Sequence, residues 1–161
     1  MSDDHPQTEL ESREPSLEDL VALCAQLNAR GAHYIVIGGF AMRAAGYDRR
    51  TMDVDLLVEA TLENEANVIA AVAELPDRAA EELRPGEIAE FVVIRVADEI
   101  VVDLMQSASG VDYRAASGQV VRHQIGGVEI PFASPALLLR MKRGSVRPKD
   151  LADVQFLEGL R

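Results

Sequence analysis

Two aspartates, Asp53 and Asp55, alternate with apolar residues in the run MDVDLLV, and a third, Asp103, is embedded in IVVDLM. Side chains two apart on a strand share a face, roughly 6.5–7 Å from one another at about 3.3 Å rise per residue. Asp53 and Asp55 therefore project together, while Met52, Val54 and Leu56 are expected to face the core. Like charges so placed repel, and withdrawing them from water is costly. If the IVVDLM strand lies beside the first, three carboxylates converge. A hard divalent cation resolves that conflict, because oxygen ligands suit Mg²⁺ and its charge cancels the repulsion. A lone aspartate in a strand is more simply a satisfied edge or turn residue; the pair plus the third favours a metal.

A double glycine, Gly38-Gly39, follows the apolar run HYIVI and precedes FAMRAAG, with thirteen residues between Gly39 and Asp53. Glycine allows positive φ and close approach of a ligand to the backbone. The first amides of a helix starting there would face an anion. The sequence is neither a G-x-G-x-x-G fingerprint nor a P-loop, since it lacks the later glycine and the GK[ST]. Taken with the carboxylates, it suggests a phosphate held between loop and metal.

The elements that would position these residues are readable from periodicity. Ser16 with Asp19 opens a helix over the stripe Leu17, Leu20, Val21, Cys24 and Leu27, ended by Gly31. HYIVIGG is a buried strand, FAMRAAG a short helix, and MDVDLLV a second strand. Thr61 caps a helix over Leu62 to Leu75, closed by Pro76. FVVIRVA and IVVDLM make two strands joined by a tight Asp98-Glu99 turn. Residues 110–117 suggest a short helix, and QVVRHQIGGVEIPF a hairpin turning at Gly126-Gly127. Ser134-Pro135 opens a helix through ALLLRMKR, and Pro148 opens the last, KDLADVQFLEGL. The expected fold is α+β with an α/β-like start and a mixed sheet.

At 161 residues, 48% hydrophobic and 27% charged, the chain suits one domain with a real core. The expected division is an acidic, mobile tail over 1–15 and a single domain over 16–161. No apolar run reaches the ~18 residues of a membrane span, and the polar N-terminus is unlike a signal peptide. The one cysteine, Cys24, excludes an internal disulfide and sits on the first helix's apolar stripe as a small core residue. A cytoplasmic location is expected, with no membrane partner. The net charge is −11. Eight of the sixteen basic residues fall in two segments: Arg43, Arg49 and Arg50, then Arg140, Lys142, Arg143, Arg147 and Lys149. Such a distribution fits a small polyanion such as a nucleotide better than duplex DNA.

These residues resemble the DNA polymerase β–type nucleotidyltransferase superfamily, whose signature is an apolar residue, Gly-Gly or Gly-Ser, then Asp-apolar-Asp and a later third acid. Here it reads Ile37-Gly38-Gly39, Asp53-Val54-Asp55 and Asp103. Arg49 and Thr51 complete an R-x-T-x-D-x-D pattern similar to the AbiEii toxin–like and minimal nucleotidyltransferase groups. Ser134-Pro135, Lys142 and Arg147-Pro148-Lys149-Asp150 match their late helices. The resemblance implies a mixed sheet flanked by helices and two Mg²⁺ ions, or Mn²⁺ in their place, held by Asp53, Asp55 and Asp103. Those three are also the catalytic residues it implies, Asp103 serving the acceptor hydroxyl. It implies nucleotide contacts at Gly38, Gly39, Arg49, Thr51, Lys142 and Lys149, although Thr51 serves equally as a strand-start residue. The expected reaction is transfer of an NMP from an NTP to a hydroxyl of RNA or tRNA, a protein or a small molecule, with release of pyrophosphate. A toxin–antitoxin or phage-defence setting with a protein partner belongs to the same resemblance. The competing reading is an inactive nucleotide- or protein-binding module, such as an antitoxin partner.

Overall fold

The computed structural model describes residues 11–160. A capping box opens the first helix, α1 (Leu17–Ala29): Asp19 N donates to Ser16 Oγ, and Ser16 N donates to the Asp19 carboxylate. Strand β1 (Tyr34–Ile37) is buried at all four positions, as a central strand covered on both faces must be. It runs directly into α2 (Gly38–Ala44). In β2 (Asp53–Val58) the expected alternation holds, with Val54 and Leu56 fully buried between the partly buried aspartates. Thr61 caps α3 (Leu62–Val72) by accepting from Asn64 N.

A short helix α4 (Glu87–Glu90) precedes the hairpin of β3 (Ile94–Ala97) and β4 (Val101–Met105). A two-stranded ribbon, β5 (Ser107–Ala108) with β6 (Val111–Asp112), leads to the single-turn helix α5 (Tyr113–Ala116). The hairpin of β7 (Val120–Ile125) and β8 (Val128–Ala133) turns at Gly126 and Gly127. Both have positive φ, +59° and +79°, as a two-residue type I′ turn requires. Ser134 caps α6 (Pro135–Lys142), with proline at its first position, and α7 (Pro148–Glu158) follows.

The six long strands form one mixed sheet in the order β3-β4-β2-β1-β8-β7. The pairs β2–β4 and β1–β8 are parallel and the other three antiparallel. A parallel pair cannot be closed by a tight turn, so α3 and the segment after it carry the chain from β2 to β4. Helix α1 packs on α3 and β8, while α2 packs on β1, β2 and α6, and α6 on α7. The core unites these layers around Leu20, Leu27, Ile35, Leu56, Leu104 and Phe132. No helix among the described residues is long and apolar enough to cross a membrane.

Several expectations shift. Met52 does not face the core but is 56% exposed, because β2 begins one residue after it. The FVVIRVA strand starts only at Ile94, leaving Phe91, Val92 and Val93 exposed before it. The turn after β3 has three residues rather than two, 98 to 100, closed by Asp98 N donating to Ile100 O. Of the segment 1–15, residues 1–10 lie outside the described residues, and residues 11–15 include docked side chains. There Arg13 forks Asp19 and bonds Glu99, Ser12 Oγ donates to Asp98 O, and Glu14 pairs with Arg50.

Asp98 holds the β3–β4 turn in place. Its buried carboxylate accepts from Asp77 N, Ala79 N and Glu99 N at 2.7–2.9 Å, tying the segment after α3 to the hairpin. Asp98→Ala leaves three amides without their acceptor and is expected to cost about 2–4 kcal/mol in urea unfolding. A loss below about 0.5 kcal/mol would show that the tether is dispensable.

Candidate active site

Strands β2 and β4 pair in parallel with Asp55 directly opposite Asp103. That register gathers Asp53, Asp55 and Asp103, and one oxygen from each lies within 4.8 Å of the others. On its other side β2 pairs with β1, Ile37 opposite Asp55, so the chain leaves β1 into Gly38 beside that carboxylate. Gly38 has φ +71°, and a Cβ there would run into the Asp55 carboxylate, with Cγ 2.9 Å away. Only glycine fits both the conformation and the space.

Gly39 and Thr51 interlock. A Cβ on Gly39 would fall 2.5 Å from Thr51 Cβ, and the buried Thr51 donates its hydroxyl to Asp53 O at 3.0 Å. In this structure Thr51 fixes the entry to β2, the strand-start role. Gly38, Asp53, Asp55, Asp103, Lys142 and Lys149 all line one cleft of about 470 Å³; Gly39, Arg49 and Thr51 do not. The cleft also takes in Arg95, Arg147 and Asp150, none of which the sequence reading singled out as site residues.

Arg49 has another partner. Its Nη2 donates to Asp153 Oδ2 at 3.0 Å, and its Nε sits 3.0 Å from Oδ1 without the alignment for a hydrogen bond. Asp153, on α7, is completely buried and also pairs with Lys142 Nζ at 3.0 Å. Lys142 reaches Asp150 as well, at 3.3 Å. Burial would raise the Asp150 carboxyl, but hydrogen bonds from Ser145, Arg147 and Lys142 hold it below the usual carboxylate value. This network clamps α6 and α7 to the loop leading into β2.

The carboxylate cluster itself is poorly neutralised. Arg95, on β3 opposite Asp103, donates from Nε and Nη2 to the two Asp103 oxygens at 3.0 Å each, and from Nη2 to Asp53 at 3.1 Å. No cation among the described residues pairs with Asp55. Its partial burial, then the charges of Asp53 and Asp103, push its carboxyl from 3.8 up to about 7. Burial, with Asp103 adding to it, also raises Asp53 against the opposing pull of Arg95 and Lys149. Three converging oxygen donors short of positive charge fit a hard divalent ion. Near the cluster, Lys149 lines the cleft exposed and without an ion pair among the described residues.

No family model matches the chain, and no curated protein matches it in sequence. Solved structures do match it in shape, nucleotidyltransferases and a nucleotidyltransferase-like protein among them. One is an antigenic nucleotidyltransferase-like protein from Paracoccidioides brasiliensis, 18% identical over 93% of this chain and 79% of that one, at TM-score 0.57. Another is the lincosamide antibiotic adenylyltransferase LnuA in its lincomycin-bound form, 12% identical over 92% and 100%, at 0.60. A third is ANT(2")-Ia in complex with adenylyl-2"-tobramycin, 14% identical over 88% and 87%, at 0.54. The fold of this chain is therefore the nucleotidyltransferase fold.

The raised Asp55 makes a prediction about stability. A carboxyl raised by folding favours the folded state fully below its unfolded value near 4, and that contribution is lost as pH rises through about 7. Asp55→Asn is thus expected to raise the melting temperature in EDTA by roughly 5 °C at pH 8, with the difference closing toward pH 4. A difference that stays constant from pH 4 to 8 would contradict the raised Asp55 carboxyl.

Proposed function

We propose that this protein is a divalent-metal-dependent nucleotidyltransferase that moves an NMP from an NTP to a hydroxyl acceptor and releases pyrophosphate. The observation that carries the reading is the register-matched set Asp53, Asp55 and Asp103 beside Gly38, on a fold shared with adenylyltransferases. The residues present fit Mg²⁺ or Mn²⁺, with Asp53, Asp55 and Asp103 as its ligands. Bound there, two such ions supply the charge that stabilises the attacking and leaving oxygens of an in-line displacement.

The chain's own groups have separable tasks. The backbone at Gly38, free of a side chain, lets the triphosphate approach, while Gly39 behind it makes room for Thr51. Lys149, exposed on the cleft wall, neutralises phosphate charge, and Lys142 stands behind it in its pairs with Asp150 and Asp153. Asp103, in the role the superfamily resemblance implies for it, serves the acceptor hydroxyl and takes its proton. Arg49 and Thr51 act here by fixing the strand that carries the ligands.

The acceptor we favour is a small molecule. LnuA is bound to lincomycin and ANT(2")-Ia to adenylyl-2"-tobramycin, and a net charge of −11 works against a long polyanion such as tRNA. With millimolar Mg²⁺ and ATP or another NTP, the melting temperature is expected to rise by several degrees, and Asp53→Ala to remove the rise. An α-labelled NTP offered with Mg²⁺ and pooled hydroxylated small molecules should label an acceptor, and Asp55→Ala should stop it. No shift with any of the four NTPs, or label transfer that survives Asp55→Ala, would sink the reading.

A further inference from the structure

Among the described residues, Arg95 is the cation hydrogen-bonded to the carboxylate cluster, and it is held more openly than Arg49. Its guanidinium takes both oxygens of Asp103 and one of Asp53, at 3.0–3.1 Å. These are oxygens that the proposed function assigns to the metal. Arg49, by contrast, is sunk against Asp153 with a side chain only 15% exposed, whereas the Arg95 side chain is 61% exposed. Arg95 stands on β3, the edge strand of the sheet, with no further strand beyond it. The residue can swing away with little loss of packing.

We infer that Arg95 is a latch on the metal site: its guanidinium spans Asp103 and Asp53 in the metal-free protein, and a divalent ion must displace it to bind. The inference rests on the metal reading of the cluster. A guanidinium and a divalent ion cannot both sit against the same two carboxylates, since two cations at contact distance, well inside a Debye length, repel. A planar fork matched to a carboxylate is also the strongest hydrogen-bonding arrangement a side-chain cation makes, so its displacement weakens the net affinity for the ion. The backbone defines where the latch closes: the β3–β4 register sets Arg95 opposite Asp103, and Asp98 pins the turn that fixes the register. Once displaced, a positive group is released at the mouth of a cleft proposed to take a triphosphate. Metal binding therefore adds a second free cation to the nucleotide site beside Lys149.

The test is Mn²⁺ binding followed by electron paramagnetic resonance on the nucleotide-free protein. Arg95→Gln is expected to bind Mn²⁺ at least about ten-fold more tightly than the unaltered chain. Lys149→Gln is the control for charge alone. Lys149 acts on Asp53 and Asp55 through space without a hydrogen bond to either, and its loss should change affinity by less than about three-fold. Equal gains in the two variants would mean that only the overall field matters, and no gain in Arg95→Gln would mean that nothing is displaced; either result overturns the latch. If Mn²⁺ binds all forms equally and Asp55→Asn abolishes it, the metal site stands and the latch alone falls. If neither the unaltered chain nor Arg95→Gln binds Mn²⁺ at millimolar concentration, the metal reading falls with it.

Discussion

The parallel pairing of β2 with β4 is the constraint on which the site depends. It puts Asp55 opposite Asp103 and leaves Asp53 one pleat away on the same face. Strand pairing is unforgiving here, because a slip of one residue would turn Asp103 to the opposite face and dissolve the cluster. Much of the fold serves that register. Helix α3 carries the chain across so that the two strands run the same way, Asp98 fixes the turn into β4, and Gly38 allows β1 to end against Asp55. Hydrophobic burial of Val54, Leu56, Val102 and Leu104 then holds three repelling charges together.

Two kinds of ionic contact surround the cleft, and their surroundings give them different natures. The pairs of Asp153 with Arg49 and Lys142 are dry, and breaking a buried pair by removing one partner is strongly destabilising. They behave as fixed struts between α7 and the entry to β2. The contacts of Arg95 are open to water on an edge strand, where even a bidentate pair can be exchanged for another partner. The protein thus makes its frame from buried charge and leaves exposed charge at the mouth of the cleft.

Much of this was legible in the sequence, for physical reasons that differ from residue to residue. Asp53, Asp55 and Asp103 stood out because charge in an apolar strand violates the hydrophobic pattern, and Gly38 because a strand-to-helix turn made of glycines signals close approach. The helix starts at Ser16, Thr61 and Ser134 were readable from cap chemistry that acts over three residues. Arg95 was missed by a margin of one. A two-residue turn at Asp98-Glu99 sets Arg95 against Val102, on the wrong face, whereas the observed three-residue turn sets it against Asp103. Arg49 was legible as a charge but not as a partner of Asp153, because a contact spanning 104 positions leaves no local signal. The docking of Arg13 and Glu14 was hidden likewise in a segment whose composition reads as solvent-loving.

Strand β1 lies in the middle of the sheet, yet one of its neighbours, β2, follows it closely in sequence and the other, β8, comes only at Val128–Ala133. Val36 pairs toward β2 with Leu56 and toward β8 with Phe132. A chain emerging from the ribosome can complete the first of these pairs early, but the second edge of YIVI stays open until residues beyond 130 have been made. Long-range parallel pairing of this kind is slow, and an unpaired apolar edge invites association with other chains in the meantime. The helices that wall the cleft come later still. The sheet's centre is thus written first and closed last, and the interval between is when this protein is most exposed to misassembly.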